Sequence, residues 1–554
     1  MPDQPDRPDP VHFPDAPDAP DTPETPDAVA AVAPPSRPQP APRRRRAAGA
    51  GALAVAASLA LGELVAAVVG GVPSLVLAVS SLVVPVVPPA VESWAIQTFG
   101  TDDKAVLAAG TVVLALLIGA ATGLRAARRF GAAIAVFTSF GVVGWLAAST
   151  QPAAALGAVL VDAVLVVLVG LAVLHRLLEA ARPPAPAVAP DGSRSTDTHA
   201  GRRTFIASAG TVGAAVLAAA GGARVLGRGR GAASGPPVDV ALPDPPTPAP
   251  TVGPAQAFAD VEGLTPVVVP NDEFYRIDTA LSVPRIDAAT WRLRVHGMVE
   301  RELELSLADL AELDVVEHHV TIACVSNEVG DDLVGNALWR GVRLADVLAM
   351  AGVERGATQL VGRSVDGWTA GFPTDVALDG REALVAFGMN GEPLPFEHGF
   401  PARLIVPGLY GYVSATKWLS EIELTTWEGF DGYWVPRGWA KEGPIKTQSR
   451  IDVPRADTRV VPGRQPVAGV AWAPTRGISR VEVQLDDRPW REAELTAPLS
   501  DDAWVQWRLD VDVPDGVHVL RVRATDGTGE TQTEEVAEPR PDGATGWHTI
   551  RVFT

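Results

Sequence analysis

The chain has 554 residues, a formal net charge of −19 at pH 7, 47% hydrophobic residues and a mean hydropathy of +0.15. Its acidic balance argues against a nucleic-acid-binding protein, which needs clustered cationic surface to contact phosphates. A single cysteine, Cys324, excludes a disulfide framework, a cysteine-rich zinc site and an iron–sulfur cluster held by this chain.

The first 230 residues hold most of the apolar excess. Residues 1–46 repeat Pro and Asp and end in an arginine run, which predicts a disordered cytoplasmic tail. Residues 47–226 then predict a transmembrane region whose arginine-flanked ends face the cytoplasm. About five spanning helices are expected, at residues 47–70, 105–124, 131–149, 153–174 and 205–222.

The stretch 72–91 is also apolar, but its four prolines would interrupt a regular helix. If the arginine clusters at 43–46 and 125–129 are both cytoplasmic, an even number of membrane crossings must separate them. The stretch 72–91 is therefore expected to be re-entrant or interfacial, and a total of six spanning helices is the alternative.

Other uses of the membrane region are not favoured by its composition. Histidines there are too few for haem ligation within the helices, so no haem is expected in this chain. Glu63 and Asp162 are the acidic residues within the spans, and they read as packing groups rather than a transport pathway. Arg202-Arg203 before an apolar helix resembles an internal twin-arginine signal; ordinary positive-inside flanking is the alternative, and both readings put the rest of the chain outside the cytoplasm.

The second half predicts two further domains after a Pro-rich linker at 227–262. Residues 263–455 mix short strands with helices such as Leu344–Ala351, which is an α+β pattern. Residues 456–554 alternate at period two between Gly, Asp and Pro turns, which predicts an immunoglobulin-like β-sandwich. The expected fold is therefore multi-domain: a helical transmembrane bundle, an α+β domain and a β-sandwich.

Cys324 follows a β-branched, apolar stretch, His319–Ile322, and opens a polar loop that continues to Gly330. A strand ending at such a loop can present a thiolate. The alternative is a small buried side chain whose sulfur has no chemical role.

Polar residues set among glycines, prolines and aromatics mark four more stretches: 271–278, 364–367, 397–403 and 408–418. Together with Met389–Pro395 and Lys417-Trp418, they give residues 266–554 a resemblance to the sulfite-oxidase family of molybdopterin enzymes, including that family's C-terminal dimerisation domain.

The resemblance implies a molybdopterin cofactor, with Cys324 as the thiolate ligand of molybdenum. It implies pterin contacts from these positions: Asn271, Tyr275, Arg276, Asp278, Asp366, His398, Arg403, Ala415, Thr416 and Lys417. Arg403 and Lys417 can pair with the pterin phosphate. Arg276 and Tyr433 resemble positions that line the family's active site, where they would orient the substrate.

The loop after Cys324 differs from that of true sulfite oxidases, which carry cationic residues there. Glu328, Asp331 and Asp332 would repel an anion, so sulfite is not the expected substrate. The resulting hypothesis is a membrane-anchored oxidoreductase that performs two-electron oxo transfer on a small molecule outside the cytoplasm. A separate protein, quinone or small carrier would exchange electrons with it, and the C-terminal domain could form a homodimer. The alternatives are an S- or N-oxide reductase and a scaffold that has lost the cofactor.

Overall fold

The computed structural model describes residues 44–88, 91, 94–95, 98–99, 102–151, 154–182, 187–188, 194–195, 198–231 and 240–554. Residues 1–43 of the expected tail and residues 232–239 of the expected linker lie outside these ranges. Arg44–Arg46 belong to the first helix rather than to the tail, so that helix begins three residues earlier than expected.

Helices make up most of the described N-terminal part, with one short antiparallel strand pair, β1 with β2. Among the described residues, five helical segments are long and apolar enough to cross a membrane: α1, α3, α4, α5 and residues 202–226 within α6. The bounds are α1 (Arg44–Val68), α2 (Leu75–Val83), α3 (Asp103–Ala126), α4 (Phe130–Ser149), α5 (Leu156–Ala181), α6 (Thr198–Gly231), β1 (Ala187–Val188) and β2 (Arg194–Ser195).

The contact between α1 and α3 depends on small residues. A Cβ atom on Gly51 would lie 2.0 Å from the carbonyl oxygen of Gly119, and one on Gly123 would lie 2.1 Å from that of Ala47. Glycines four residues apart allow two helix backbones to approach this closely. The contacts run antiparallel, so the arginine-rich start of α1 lies beside the end of α3, where Arg125 is found.

The apolar stretch at 72–91 contains the short helix α2 and a 3-10 turn at Val84–Val86. The Oγ atom of Ser74 caps α2 by accepting from the amide of Leu77 at 3.2 Å. Nine helical residues extend about 14 Å, about half of a hydrocarbon core. The expectation of a re-entrant or interfacial segment stays a prediction that this length favours.

The α+β part is built on one antiparallel sheet and one mixed sheet. Their strand orders are β10-β9-β6-β5, with β11 also on β9, and β4-β3-β12-β7-β8, in which β12 and β3 are parallel. The strands are β3 (Leu293–Gly297), β4 (Leu303–Leu305), β5 (Val315–Ala323), β6 (Val334–Arg343), β7 (Gln359–Ser364), β8 (Thr369–Pro373), β9 (Leu384–Met389), β10 (Glu392–Pro393), β11 (Arg403–Ile405) and β12 (Leu419–Thr425). The helices are α7 (Leu307–Ala311), α8 (Leu344–Ala351), α9 (Thr374–Leu378) and α10 (Gly411–Ser414), with 3-10 turns at Phe396–His398 and Val435–Arg437.

The C-terminal part is a sandwich of two sheets, β13-β15-β19-β18 and β14-β21-β20-β16-β17, around a core that includes Trp507 and Leu520. The strands are β13 (Gln448–Val453), β14 (Thr458–Arg459), β15 (Gly463–Trp472), β16 (Ile478–Leu485), β17 (Arg491–Glu492), β18 (Glu494–Leu495), β19 (Val505–Val513), β20 (Val517–Asp526) and β21 (His548–Phe553). Strand β13 precedes the boundary expected at 456, and its pairing with β15 places it in the sandwich.

Strand β5, which leads to the cysteine, is held from both sides. It pairs with β6 along all nine of its residues. On its other side the amide of Thr321 donates to the carbonyl of Asp502 at 3.0 Å, and its Oγ1 accepts from the amide of Trp504 at 2.8 Å. The sandwich therefore fixes the strand that presents Cys324.

Residues 240–262 contain turns but no described helix or strand, and they lie along both C-terminal domains. The carbonyl of Pro243 accepts from Arg340 at 3.0 Å, and that of Pro250 accepts from His319 at 2.9 Å. Further along, the amide of Phe258 donates to Gln506 of the sandwich at 2.8 Å. This part of the expected linker is therefore attached to the folded domains.

Candidate active site

Cys324 is the first residue after β5 and opens a closed loop that ends at Leu333. Its amide donates to the carbonyl of Leu333 at 2.9 Å, and the Asn327 side chain accepts from the Leu333 amide at 2.8 Å. The half-buried Sγ atom lies 2.9 Å from the Oγ of Ser326. Burial raises the pKa of the Cys324 thiol, so a metal would have to displace its proton on binding.

The acidic residues of this loop point away from the fold, because Glu328, Asp331 and Asp332 are exposed. The loop is clamped against the sandwich at Gly330, which has φ +94°, and a Cβ atom there would lie 2.3 Å from the His548 ring. Only glycine fits this position without movement. The acids are thus held at the rim of the loop, where they add negative charge to its surroundings.

His398 lies on the 3-10 turn before the Gly399 bend and is buried. Its Nε2 lies 2.7 Å from the carbonyl oxygen of Asn271, and the edge of its ring contacts Phe274. Burial lowers the pKa of His398 to about 4, so the ring is neutral at neutral pH. Because Nε2 must carry the proton to donate to a carbonyl, Nδ1 keeps a lone pair for a ligand N–H group.

Arg403 begins β11 and is 5% exposed. Its NH1 group donates to the His398 carbonyl at 3.1 Å, and its guanidinium stacks 5.0 Å from the centre of the Trp339 ring. Its Nε atom is buried without a hydrogen-bond partner among the described residues. Burial lowers the pKa of Arg403 to about 10, which reflects the cost of a buried cation without a carboxylate.

Tyr275 connects the cysteine with this arginine. It is half-buried and stacks on Phe274 at 5.3 Å. Burial and the nearby Cys324 raise the pKa of the Tyr275 hydroxyl, whereas Arg403 acts in the opposite direction. Tyr275 therefore lies close enough to Cys324 and Arg403 for both to influence its hydroxyl.

A cationic cluster surrounds Asp278, whose side chain is only 4% exposed. Its Oδ2 accepts from Lys417 at 2.7 Å and from Arg276 at 2.9 Å, and its Oδ1 accepts from Lys104 at 2.9 Å. Burial opposes ionisation, but the three cations, Lys417 foremost, hold the pKa of Asp278 well below its usual range. Burial likewise lowers the pKa of Lys417 to about 8 despite its pairing with Asp278.

Sequence reasoning missed Lys104, which lies at the start of α3. A signal was available, because Lys104 is the only lysine among the first 230 residues and stands at the helix end opposite the arginine clusters. The positive-inside rule predicts few Lys and Arg residues at the non-cytoplasmic ends of spanning helices. A lysine at such an end, like Lys104, therefore suggests a specific local contact.

The turn Ala415–Lys417 lies between α10 and β12. The carbonyl of Thr416 accepts from the Leu404 amide at 3.0 Å, which ties the turn to β11. The Oγ1 atom of Thr416 is buried without a partner among the described residues, and it would lie 2.5 Å from a Cβ atom on Gly362. This glycine leaves space beside the hydroxyl.

Two further expected residues are held differently. Asp366 occupies the turn between β7 and β8, where its Oδ1 accepts from the amide of Trp368 at 3.1 Å. The neighbouring Val365 amide donates to the carbonyl of Trp418, so this turn lies beside Lys417. Tyr433 is bonded through its amide to Thr369 of β8, and the Arg437 guanidinium lies 3.7 Å from its ring centre. These contacts link Tyr433 to the edge of the β7–β8 sheet.

The residues present fit an anionic cofactor with several hydrogen-bonding edges. The Nε of Arg403 and the Oγ1 of Thr416 are buried groups that lack partners among the described residues, and such groups are costly unless a ligand satisfies them. The cluster around Asp278 holds three cations against one carboxylate. A soft thiolate at Cys324 suits a metal that already has sulfur ligands.

Comparison with known proteins gives the class of this protein. Residues 280–434 match the oxidoreductase molybdopterin-binding domain, and residues 443–552 match the Mo-co oxidoreductase dimerisation domain. The uncharacterised oxidoreductase YuiH of Bacillus subtilis is 37% identical over 157 residues, which cover 28% of this chain and 76% of YuiH. The chain belongs to the sulfite-oxidase family of molybdopterin-binding oxidoreductases.

Two further relatives describe how far the likeness extends. Mitochondrial sulfite oxidase of Homo sapiens is 30% identical over 338 residues, which cover 52% of this chain and 62% of that enzyme. The chain thus spans about three fifths of the length of the sulfite oxidase it matches. The sulfane dehydrogenase SoxCD of Paracoccus pantotrophus has 24% identity and a TM-score of 0.47, covering 55% of this chain and 86% of that chain.

Proposed function

We propose that the protein is a membrane-anchored molybdenum-cofactor oxidoreductase whose catalytic domain, at about residues 263–455, lies outside the cytoplasm. The observation that carries the proposal is the position of Cys324 at a fixed strand end, electrostatically adjacent to Tyr275 and the incompletely satisfied Arg403. When bound there, the cofactor would supply two-electron transfer of an oxo group to or from a small substrate.

The protein's own groups divide the work of holding this cofactor. The Cys324 thiolate would be the metal ligand, and the Nδ1 lone pair of His398 would accept from a pterin N–H group. The free Nε–H of Arg403 and the Thr416 hydroxyl would donate to pterin acceptors, while Lys417 would pair with the phosphate. Further contacts with the pterin would come from Asn271, Asp278, Asp366 and Ala415.

Arg276 and Tyr433 are proposed to orient the substrate. The Arg276 side chain is 39% exposed while its Nε is held by Asp278, so its outer nitrogens face the solvent side of the cluster. Tyr433 can act only on a substrate that reaches the edge of the β7–β8 sheet. Tyr433→Phe tests whether its hydroxyl takes part.

The choice of substrate follows from the rim of the loop after Cys324. Glu328, Asp331 and Asp332 are exposed there, and their charge disfavours an approaching anion such as sulfite. The same rim accepts a neutral S- or N-oxide, so reduction of such an oxide is the second candidate activity. A scaffold without cofactor is less favoured, since it would keep buried polar groups unsatisfied without a compensating ligand.

The membrane anchor is supported by the helices themselves. Leu117, Val161 and Leu168 remain more than half exposed on α3 and α5, as lipid-facing residues would be. The arginine-rich ends of α1 and α3 lie together, and the catalytic domain contacts the opposite end of α3 through Lys104. This arrangement supports cytoplasmic arginines and an external catalytic domain.

Two kinds of partner are proposed besides lipid and substrate. The sandwich, which matches a dimerisation domain, would join two copies of the chain. Electrons would pass to or from a separate protein, a quinone or a small carrier, since haem is not expected in this chain.

Metal analysis of the purified full-length chain tests the proposal. Wild-type protein is expected to contain molybdenum and pterin, and Cys324→Ser is expected to lose oxidoreductase activity. Ser326→Ala is the matched control, because it removes the hydroxyl beside the sulfur and leaves the thiol. Undiminished activity of Cys324→Ser without molybdenum would contradict the proposal. A screen of sulfoxides and N-oxides with an artificial donor, against sulfite with an acceptor, separates the two directions.

A further inference from the structure

Lys104 joins the helical region to the catalytic domain at a site of functional chemistry. Its Nζ atom lies 2.9 Å from Oδ1 of Asp278 and 2.8 Å from the carbonyl oxygen of Ala280. The two contacts reach across more than 170 positions of the chain and hold both a side chain and the backbone two residues further on. Lys104 thereby fixes the segment that carries Asp278.

The two carboxylate oxygens of Asp278 bind different parts of the protein: one binds the helical region and the other binds the catalytic domain. Oδ1 faces Lys104, whereas Oδ2 accepts from Lys417 and Arg276. A carboxylate whose first oxygen is held cannot rotate freely, so its second oxygen stays fixed in front of the two catalytic-domain cations. The position of those cations therefore depends on a residue of α3.

The charge of the cluster also depends on Lys104. Three cations around one carboxylate leave a net charge of +2, and removing Lys104 would leave +1. A phosphate monoester carries about −1.5 to −2 charges at pH 7. The complete cluster thus balances one phosphate group, and the cluster without Lys104 does not.

We propose that Lys104 is a positioning residue of the cofactor site: through Asp278 it sets Lys417 and Arg276 for the cofactor phosphate, so the helical region helps to retain the cofactor. This inference rests on the proposed cofactor function and adds a role for the helices beyond anchoring. It predicts that cofactor retention responds to the contact between α3 and the catalytic domain.

The test measures cofactor retention in the full-length chain, purified in detergent. Lys104→Met removes the charge, Lys104→Arg keeps it, and Lys446→Met is the matched control. Lys446 also pairs with one carboxylate, Asp542 at 3.1 Å, and one carbonyl, that of Gly543 at 2.6 Å, but in the sandwich. Molybdenum content by mass spectrometry and released pterin fluorescence are followed during timed incubation in buffer.

The Lys104 side chain is 35% exposed, so its pairing is expected to contribute about 1 kcal/mol, equivalent to about a fivefold change in rate. Lys104→Met should lose cofactor about five times faster than wild type, while Lys104→Arg and Lys446→Met retain it. Equal loss by wild type and Lys104→Met would overturn the inference and leave the proposed function standing. Absence of molybdenum and pterin from wild type would instead refute the proposed function.

A second measurement uses wild-type protein and so does not depend on the folding of a variant. The four lysines of the chain are labelled with an amine-reactive reagent, in loaded and cofactor-free protein, and the rates are read by peptide mass spectrometry. A bound phosphate should slow the labelling of Lys104 about threefold or more, because it adds negative charge to the cluster that holds the Lys104 amine. The labelling rate of Lys446 should not change. Identical Lys104 rates in the two forms would contradict a coupling between Lys104 and the cofactor phosphate.

Discussion

Two buried arginines, Arg403 and Arg450, differ in their partners and should therefore differ in what they contribute to stability. Arg450 is 7% exposed and donates to Asp452 at 2.7 Å, to the Asp331 carbonyl at 2.8 Å and to Thr265 at 2.9 Å. Arg403 is 5% exposed and has one carbonyl acceptor and the Trp339 ring. We predict that Arg403→Met stabilises the cofactor-free protein and that Arg450→Met destabilises it.

The magnitude follows from the pKa of Arg403, which burial lowers from 12.5 to about 10. At about 1.4 kcal/mol for each pKa unit, the buried charge costs about 3 kcal/mol at neutral pH. The stacking on Trp339 and the bond to His398 return about 2 kcal/mol of this. Methionine keeps the apolar stem, so Arg403→Met should gain about 1 kcal/mol. Arg450→Met leaves Asp452 without its cation and should lose about 3 kcal/mol.

Urea denaturation of cofactor-free full-length protein, followed by tryptophan fluorescence, measures both changes. The two variants should lie on opposite sides of wild type, separated by about 4 kcal/mol. Cofactor loading is measured in parallel, and Arg403→Met should load less cofactor than Arg450→Met. Equal destabilisation by both substitutions would refute the reasoning, because it would mean that Arg403 stabilises the cofactor-free fold without a ligand.

Three further predictions test other parts of the structure. Burial, aided by Arg450, lowers the pKa of His548 to about 4, so the unfolded chain binds a proton at higher pH than the folded protein does. The free energy of unfolding should therefore be unaffected by His548 above about pH 6.5, and it should fall by up to about 3 kcal/mol as the pH drops towards 4. His548→Gln should flatten this part of the stability profile in urea melts between pH 7 and 4. Gly123→Val should destabilise the detergent-solubilised protein by at least about 2 kcal/mol, whereas Gly110→Val on the same helix, with open space around it, should not, as thermal melting will show. Asp278→Asn should destabilise the cofactor-free protein by about 3 kcal/mol, because it leaves the surrounding cations unpaired, and urea denaturation measures this change.

Local sequence patterns predicted the elements that present the site. The β-branched residues before Cys324 predicted a strand, and β5 ends at Ala323. Helix α8 has the predicted bounds of Leu344–Ala351. These features could be predicted because side-chain periodicity and turn residues act over a few neighbouring positions.

Contacts between distant segments could not be predicted in this way. The pairing of Lys104 with Asp278 and the clamp of His548 on Gly330 join residues that share no local pattern. The predicted boundary at 455/456 puts strand β13 in the α+β domain, but its pairing with β15 puts it in the sandwich, and that pairing depends on the fold. The resemblance to a known family supplied the proposed pterin-contacting positions, which side-chain chemistry alone would have left ambiguous.

The attachment of residues 240–262 to the folded domains has a mechanical consequence. Only the eight residues 232–239 separate the end of α6 from the attached segment, and a chain of that length extends at most about 30 Å. In the proposed membrane-anchored arrangement, this short connection would keep the catalytic domain close to the bilayer surface. An electron carrier that diffuses within or along the membrane would then meet the domain far more often than one dispersed through the surrounding fluid.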